Sequence, residues 1–348
     1  MRTIPDRANL NDVARLAGVS RSTVSRVLTG ATNVSPKAVD AVHAATRALG
    51  YRPDPIARAM RNGSTGCIGM VVPEIGNPFF AELVEAIERE LQAQGVELMI
   101  TDSRDSVENE RRRIESLLAR RVDGLVVIPV EKHSSAPALE HVTEIPIVLL
   151  DRRVDNLAGD FVGVDNAAGI RTVLQHVAEQ GARSLVFISG DRSTSTGAAR
   201  LAALDAQVAE LVGAPRAHRL GSFTVEFGQK AAQELLAEGD IPDAIVCGSD
   251  VVAIGVLHTL ADAGITVPDD VLVTGFDGIR MADLIRPTLT TVSQPIGDLA
   301  IEAVRLIMLR IGGDSGPMRR SEIAPKLQVR RSSVRVAAVD EPRAGAST

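Results

Sequence analysis

From residue 66 onward, short apolar runs rich in β-branched side chains alternate with longer amphipathic stretches. The runs are Cys67–Val72, Val96–Ile100, Leu125–Ile128, Ile147–Leu150, Phe161–Val164, Leu185–Ile188, Ala244–Cys247 and Val271–Thr274. Such apolar, β-branched runs read as strands. The stretches between them, such as Phe79–Gln94 and Ile170–Gln180, carry apolar residues at helical spacing. Strands and helices in alternation predict parallel sheets covered by helices. Roughly 260 residues of this pattern exceed one comfortable sheet, and we expect two doubly wound lobes.

Ahead of residue 66 only helical spacing is seen. Leu10, Val13, Ala14 and Ala17 share a face, with Asn9 as N-cap and Gly18 as the left-handed stop. A second helix over residues 21–28 follows Ser20. Its inner face is Val24, Val27 and Leu28, and its outer face Arg21, Ser22, Ser25 and Arg26. Ser35 and Pro36 open a third helix with Val39, Val42, Thr46 and Leu49 inside, ended by Gly50. Two helices joined by a tight turn, the second polar outside, form a helix-turn-helix pattern. Arg on such a helix can bond a guanine edge in bidentate fashion, and Ser or Thr suits several edges. A small three-helix bundle that binds no nucleic acid would show the same spacing. Asp54 and Pro55 then start about two turns of helix, too few to be stable alone. We expect that segment, 53–65, to order only when docked; a plain linker is the alternative.

Charge sharpens the picture. The chain has a net charge of −6, yet residues 1–62 hold ten basic and four acidic side chains against 28 and 40 in the remainder. A basic head on an acidic body suggests that only the head meets a polyanion, though a solvated basic tail would give the same balance. Two distant cysteines, Cys67 and Cys247, exclude a disulfide framework and a thiolate cluster, and fit a reducing cytoplasm. The first residues are charged and polar, without the apolar segment of a secretory leader, and no apolar run is long enough to span a bilayer. No Gly-x-Gly-x-x-Gly opens a helix, no Walker loop is found, and the six histidines are scattered. We therefore expect no enzyme, no metal and no cofactor.

In doubly wound sheets, ligands sit beyond the carboxyl ends of strands. Phe79 and Phe80 follow the first run, Asp102 the second and Asp151 the fourth. Ser249 and Asp250 follow Ala244–Cys247, and Asp277 follows Val271–Thr274. Acids around a cleft with an aromatic wall suit a polyol, since carboxylates accept hydroxyl hydrogen bonds and a ring packs on sugar C–H groups. Asp102 and Asp250 read better as helix caps, and one of the two phenylalanines reads as core.

Longer matches carry a family likeness. The stretch from Leu10 through Leu28 (LNDVARLAGVSRSTVSRVL), with Val34-Ser35-Pro36 and Leu49-Gly50-Tyr51-Arg52-Pro53, resembles the N-terminal signature of the lac/galactose repressor family. The body agrees through Asn77-Pro78-Phe79-Phe80, Arg121-Val122-Asp123-Gly124, Val164-Asp165-Asn166, Gly275-Phe276-Asp277, Leu289-Thr290-Thr291-Val292 and Gln328-Val329-Arg330-Arg331-Ser332. The resemblance covers about residues 9–333. It implies a cytoplasmic homodimer that binds a pseudo-palindromic operator through two heads, a periplasmic-binding-protein-like body, and a sugar-like effector. A protein corepressor acting on the N-terminal lobe is a further option, and a secreted binding protein is disfavoured by the basic head.

The implied division is a head over 1–52, a hinge over 53–65, a two-lobed body over 66–333 and a disordered tail over 334–348. The implied N-terminal lobe is 66–165 with 294–327, and the C-terminal lobe 166–293 with 328–333, the third crossing falling near Gln328. By position in the family, Arg21, Ser22 and Arg26 would read bases. Asn9, Thr23, Ser25, Asn33 and Tyr51 would hold phosphates. Ala57 and Met60 would meet the minor groove, Met60 standing where family members usually insert a Leu. Effector contacts would be Phe79, Phe80, Asp151, Thr196, Arg200, Phe223, Ser249 and Asp277. Arg200 and Asp277 are the foremost of these, with an interlobe salt bridge as their alternative role. Purine-binding members carry an Arg where this chain has Thr194, and some members an aromatic where it has Arg152, which favours a sugar.

Overall fold

A computed structural model describes residues 8–28, 33–51, 64–155, 157, 159–213 and 217–335. The hinge residues Ala57 and Met60, and the tail from 336 onward, lie outside the described residues. The chain divides into two compact units, one ending at Gly66 and one starting at Cys67.

In the first unit three helices, α1 (Leu10–Ala17), α2 (Arg21–Leu28) and α3 (Pro36–Ala48), close on Val13, Val24, Val27, Val42 and Ala45. Asn9 and Asp12 form a reciprocal capping box at the start of α1, and Gly18 ends it at φ 65°. Ser35 caps α3 with Pro36 in its first turn.

The second unit contains two six-stranded sheets. The first is built from β1 (Cys67–Val72), β2 (Glu97–Asp102), β3 (Gly124–Val127), β4 (Ile147–Leu150), β5 (Asp160–Val164) and the late β11 (Arg320–Ile323). They lie in the order β11-β5-β4-β3-β1-β2, all parallel. One face packs α4 (Pro78–Gln92) and α11 (Ile296–Ile311); the other packs α5 (Val107–Ala119) and α6 (Ala136–Glu140).

The second sheet has β6 (Leu185–Gly190), β7 (Ala217–Gly221), β8 (Ala244–Cys247), β9 (Leu272–Asp277), β10 (Thr290–Ser293) and β12 (Lys326–Gln328). Their order is β12-β10-β9-β8-β6-β7, with β12 antiparallel. It is covered by α7 (Asn166–Glu179) and α8 (Ser195–Leu211) on one face, and by α9 (Val225–Glu238) and α10 (Asp250–Asp262) on the other. Central strands are buried along most or all of their length, while the edges β2, β7, β11 and β12 are not.

The chain passes between lobes at Asp165, at Gln294–Pro295 and at Ala324–Pro325. The last crossing precedes the expected Gln328, because Lys326–Gln328 already pair with Thr291–Ser293 in the second sheet.

Candidate functional site

In the head, α2 exposes Arg21, Ser22 and Arg26, and Thr23 and Ser25 are half-buried. Thr23, Arg26 and Asn33 line one shallow groove with Ser20 and Ser35. The Ser20 hydroxyl lies 2.8 Å from those of both Ser22 and Thr23 and accepts the Thr23 N–H, so one capping serine orients two neighbours. Asn9 Oδ1 accepts the Asn11 and Asp12 N–H groups, which commits that oxygen to starting α1. Tyr51 packs against the head core, so its ring has a structural duty.

In the body, β1, β4, β6, β7, β8 and β9 all end at the boundary between the lobes. A small cavity there is lined by Phe79, Phe80, Asp151, Thr196, Arg200, Phe223, Ser249 and Asp277, joined by Asn77 and Arg152. Both phenylalanines line it and both are buried, so neither is core alone.

Two of the carboxylates sit on backbone that L-residues seldom adopt: φ is 60° at Asp151 and 123° at Asp277. At Asp151 the Arg152 N–H donates back to the Leu150 carbonyl at 2.6 Å, closing a tight turn at the end of β4. Such strain is characteristic of ligand sites, where the surrounding fold over-determines it.

Arg200 is 3% exposed. Its Nε donates to Asn166 Oδ1 at 2.7 Å, its Nη1 donates to the Gly248 carbonyl at 2.5 Å, and its guanidinium lies 3.7 Å from the centre of the Phe276 ring. Nη1 is 3.7 Å from Asp277 Oδ1. Both residues belong to the second lobe, so this pair does not bridge the lobes.

Burial pushes the Asp277 carboxyl up to about 7, against the pull of Arg200 and of the Gln294 amide that donates to it at 2.9 Å. Burial likewise raises Asp151, opposed by Arg200 and Arg152. Asp151 Oδ1 and Arg152 Nε, both buried and both on the cavity wall, have no hydrogen-bond partner among the described residues.

Asp250 differs from its expected role. Ser249 is the cap of α10, its Oγ accepting the Val252 N–H, and Asp250 reaches instead into the loop after β9. There it accepts from the Gly278 and Ile279 N–H groups and the Thr291 hydroxyl, at 2.8, 2.9 and 2.6 Å. Burial, then repulsion from Asp277, raises its carboxyl well above the ordinary range. Asp102 accepts the Arg104 N–H in a turn, and the cap of α5 is Ser106. Thr194 caps α8 through Gly197.

The sequence gives no site role to Arg152, to Gln294 or to Asn166, which figures there only in the Val164-Asp165-Asn166 motif. Only tertiary neighbours mark the last two. Arg152 donates to the Val130 carbonyl at 3.2 Å and lies 5.4 and 5.9 Å from the centres of the Phe80 and Phe223 rings. The Phe223 ring lies directly on Gly190, where a Cβ would come within 2.2 Å of it.

The lobes also touch outside the cavity. The Lys132 N–H donates to the Ser193 carbonyl and the Arg153 N–H to Ser195 Oγ, both at 2.9 Å. Arg280 of the second lobe meets Glu82 and Glu85 of α4.

Comparison with known proteins agrees with this architecture. Residues 9–54 match the bacterial regulatory proteins of the lacI family, and residues 174–333 match a periplasmic binding protein-like domain. A ribose operon repressor of Halalkalibacterium halodurans is 34% identical over 93% of this chain and 96% of its own length. The transcriptional repressor PurR of Mannheimia succiniciproducens is 31% identical over 95% of this chain and its whole length. Among solved structures, the lac repressor dimer bound to operator and the anti-inducer ONPF superposes with a TM-score of 0.87 at 25% identity, covering 95% of this chain and all of that one. The CelR–cellobiose complex superposes with a TM-score of 0.68 at 31% identity, covering 94% of this chain and all of that one. Likeness to repressors along nearly the whole length, head and body together, makes the chain a member of the lacI family, a DNA-binding transcription regulator.

Proposed function

We propose that this regulator represses transcription as a homodimer on a pseudo-palindromic operator, and that a sugar-like molecule in the interlobe cavity changes its grip. The observation that carries this reading is the buried cavity closed by side chains of both lobes, in a chain that also has a helix-turn-helix head. Ligand would alter how the lobes close and hence the spacing of the hinge segments that include Ala57 and Met60. By linkage, operator DNA must change ligand affinity by the same factor.

In this reading Arg21, Ser22 and Arg26 contact bases, while Asn9, Thr23, Ser25, Asn33 and Tyr51 position the head on phosphates. Phe79, Phe80, Asp151, Thr196, Arg200, Phe223, Ser249 and Asp277 hold the effector, with Arg152 as an additional donor. A sugar is favoured over a purine because Thr194 Oγ1 is spent on capping α8. The cellobiose held by the CelR relative supports the same preference. A protein corepressor is the second option.

Site selection from random duplex DNA with wild type and Arg26→Ala tests the DNA half. The expected result is a two-fold symmetric site for wild type and relaxed preference at one base pair per half-site in the variant. An asymmetric site, or unchanged preference in the variant, contradicts the proposal.

A further inference from the structure

The inner cavity is balanced in charge: Asp151 and Asp277 share it with Arg152 and Arg200. The chamber outside it is not. That chamber, of about 250 Å³, opens past Phe80, Phe223 and Arg152, which line both spaces. Its walls carry Glu74, Asp105, Glu131 and Asp191, and among its described lining residues Arg152 is the one cation.

We propose that the outer chamber is a second subsite of the effector site, taking a hydroxyl- or ammonium-bearing extension of the ligand and excluding phosphorylated sugars. The proposal rests on the effector reading above and adds the chemical class. Carboxylates only accept hydrogen bonds; Ser193 already donates to one oxygen of Asp191, and Glu74, Asp105 and Glu131 with the remaining Asp191 oxygen call for a donor-rich group. A phosphate ester carries between one and two negative charges at neutral pH and would meet like charge in a partly enclosed cleft.

The counterweight is only partly engaged by the protein. Arg152 Nη1 donates to the Val130 carbonyl and lies 3.9 Å from Asp105, while Nε, on a residue only 5% exposed, has no partner at the junction of the chambers. That Nε is a donor available to a ligand oxygen passing between them. The existing crowding of charge is visible at Glu74, whose carboxyl is raised by partial burial and then by Asp105, Asp102 and Glu226.

The test uses the full-length protein with native mass spectrometry and calorimetry. The panel holds common pentoses and hexoses, each as free sugar, terminal phosphate ester and 2-amino sugar, with homodisaccharides of the hexoses. The expected best ligand is a disaccharide or an amino sugar, at least tenfold tighter than its parent monosaccharide, with the phosphate ester at least tenfold weaker than that parent. The disaccharide and amino-sugar arms separate hydroxyl from ammonium recognition. Glu74→Gln combined with Glu131→Gln should shrink the margin over the monosaccharide below threefold. A phosphate ester that binds more tightly than its free sugar, or a margin untouched by the double variant, overturns the outer subsite and leaves the effector reading standing. Binding by no member overturns the effector reading and the subsite with it.

Discussion

Arg200 is committed before any ligand arrives: Asn166, the Gly248 carbonyl, the Phe276 ring and Asp277 fix its plane within the cleft wall. A preorganised guanidinium loses little entropy on meeting a ligand oxygen. Arg200→Ala should therefore abolish the effector response while operator binding persists. It should also lower the stability of the body by about 3 kcal/mol, because truncation leaves partners buried and unpaired. Anisotropy with operator DNA and urea unfolding read the two effects, and lost operator binding by a folded variant contradicts the assignment.

Asp277 gives a pH signature. Its folded pKa is raised by burial, so its contribution to stability is fully present below the unfolded value near 4 and is lost as pH rises toward about 7. Asp277→Asn removes that loss. Relative to wild type, the variant should gain on the order of 2 kcal/mol between pH 5 and pH 7.5. A stability difference that stays flat across that range contradicts the raised carboxyl.

Among the elements, α9 and α10 approach closely enough to touch backbone to backbone. A Cβ on Gly228 would meet the Val252 carbonyl oxygen at 2.2 Å, and one on Gly255 the Val225 carbonyl oxygen at 2.1 Å. Neither carbonyl can swing away as a side chain would. Gly255→Ala should cost about 1–3 kcal/mol of body stability by urea unfolding, outweighing its gain in helix propensity. In the head, Asn9→Ala should remove about 1 kcal/mol through loss of the α1 cap, read from the thermal transition of the head.

What could be read from the sequence follows the same physics. Central strands such as β3 and β8 are continuous apolar runs because both faces are covered, and such runs are visible in the sequence. The edges β7, β11 and β12 bear Arg, His, Glu and Lys on half-solvated backbone and carry no such run. Phe79, Phe80, Asp151, Ser249 and Asp277 were legible because strand ends converge by topology, whereas Thr196, Arg200 and Phe223 were marked only by the family resemblance. The role of Asp250 was not, since its partners Gly278, Ile279 and Thr291 lie 28 to 41 residues away in sequence.

At the scale of the whole body, the cleft is bordered by direct ties between lobes: Lys132 to Ser193, Arg153 to Ser195, and Arg280 to Glu82 and Glu85. These ties favour the conformation in which Phe79 and Asp151 of the first lobe share one cavity with Arg200 and Asp277 of the second. A ligand that prefers this state can shift the balance only by its differential affinity for it. Ser195→Ala removes one tie without touching the cavity wall and should raise the effector Kd several-fold by calorimetry. An unchanged Kd would assign Ser195 no part in closure.

The most direct measurement is fluorescence anisotropy of the selected operator against the full-length protein, repeated across the sugar panel. At least one phosphate-free polyol should shift operator affinity fivefold or more, and operator should shift the affinity for that compound by the same factor. Release identifies an inducer and tightening a corepressor. Operator affinity that none of the compounds alters would contradict control through this cavity by a sugar-like effector.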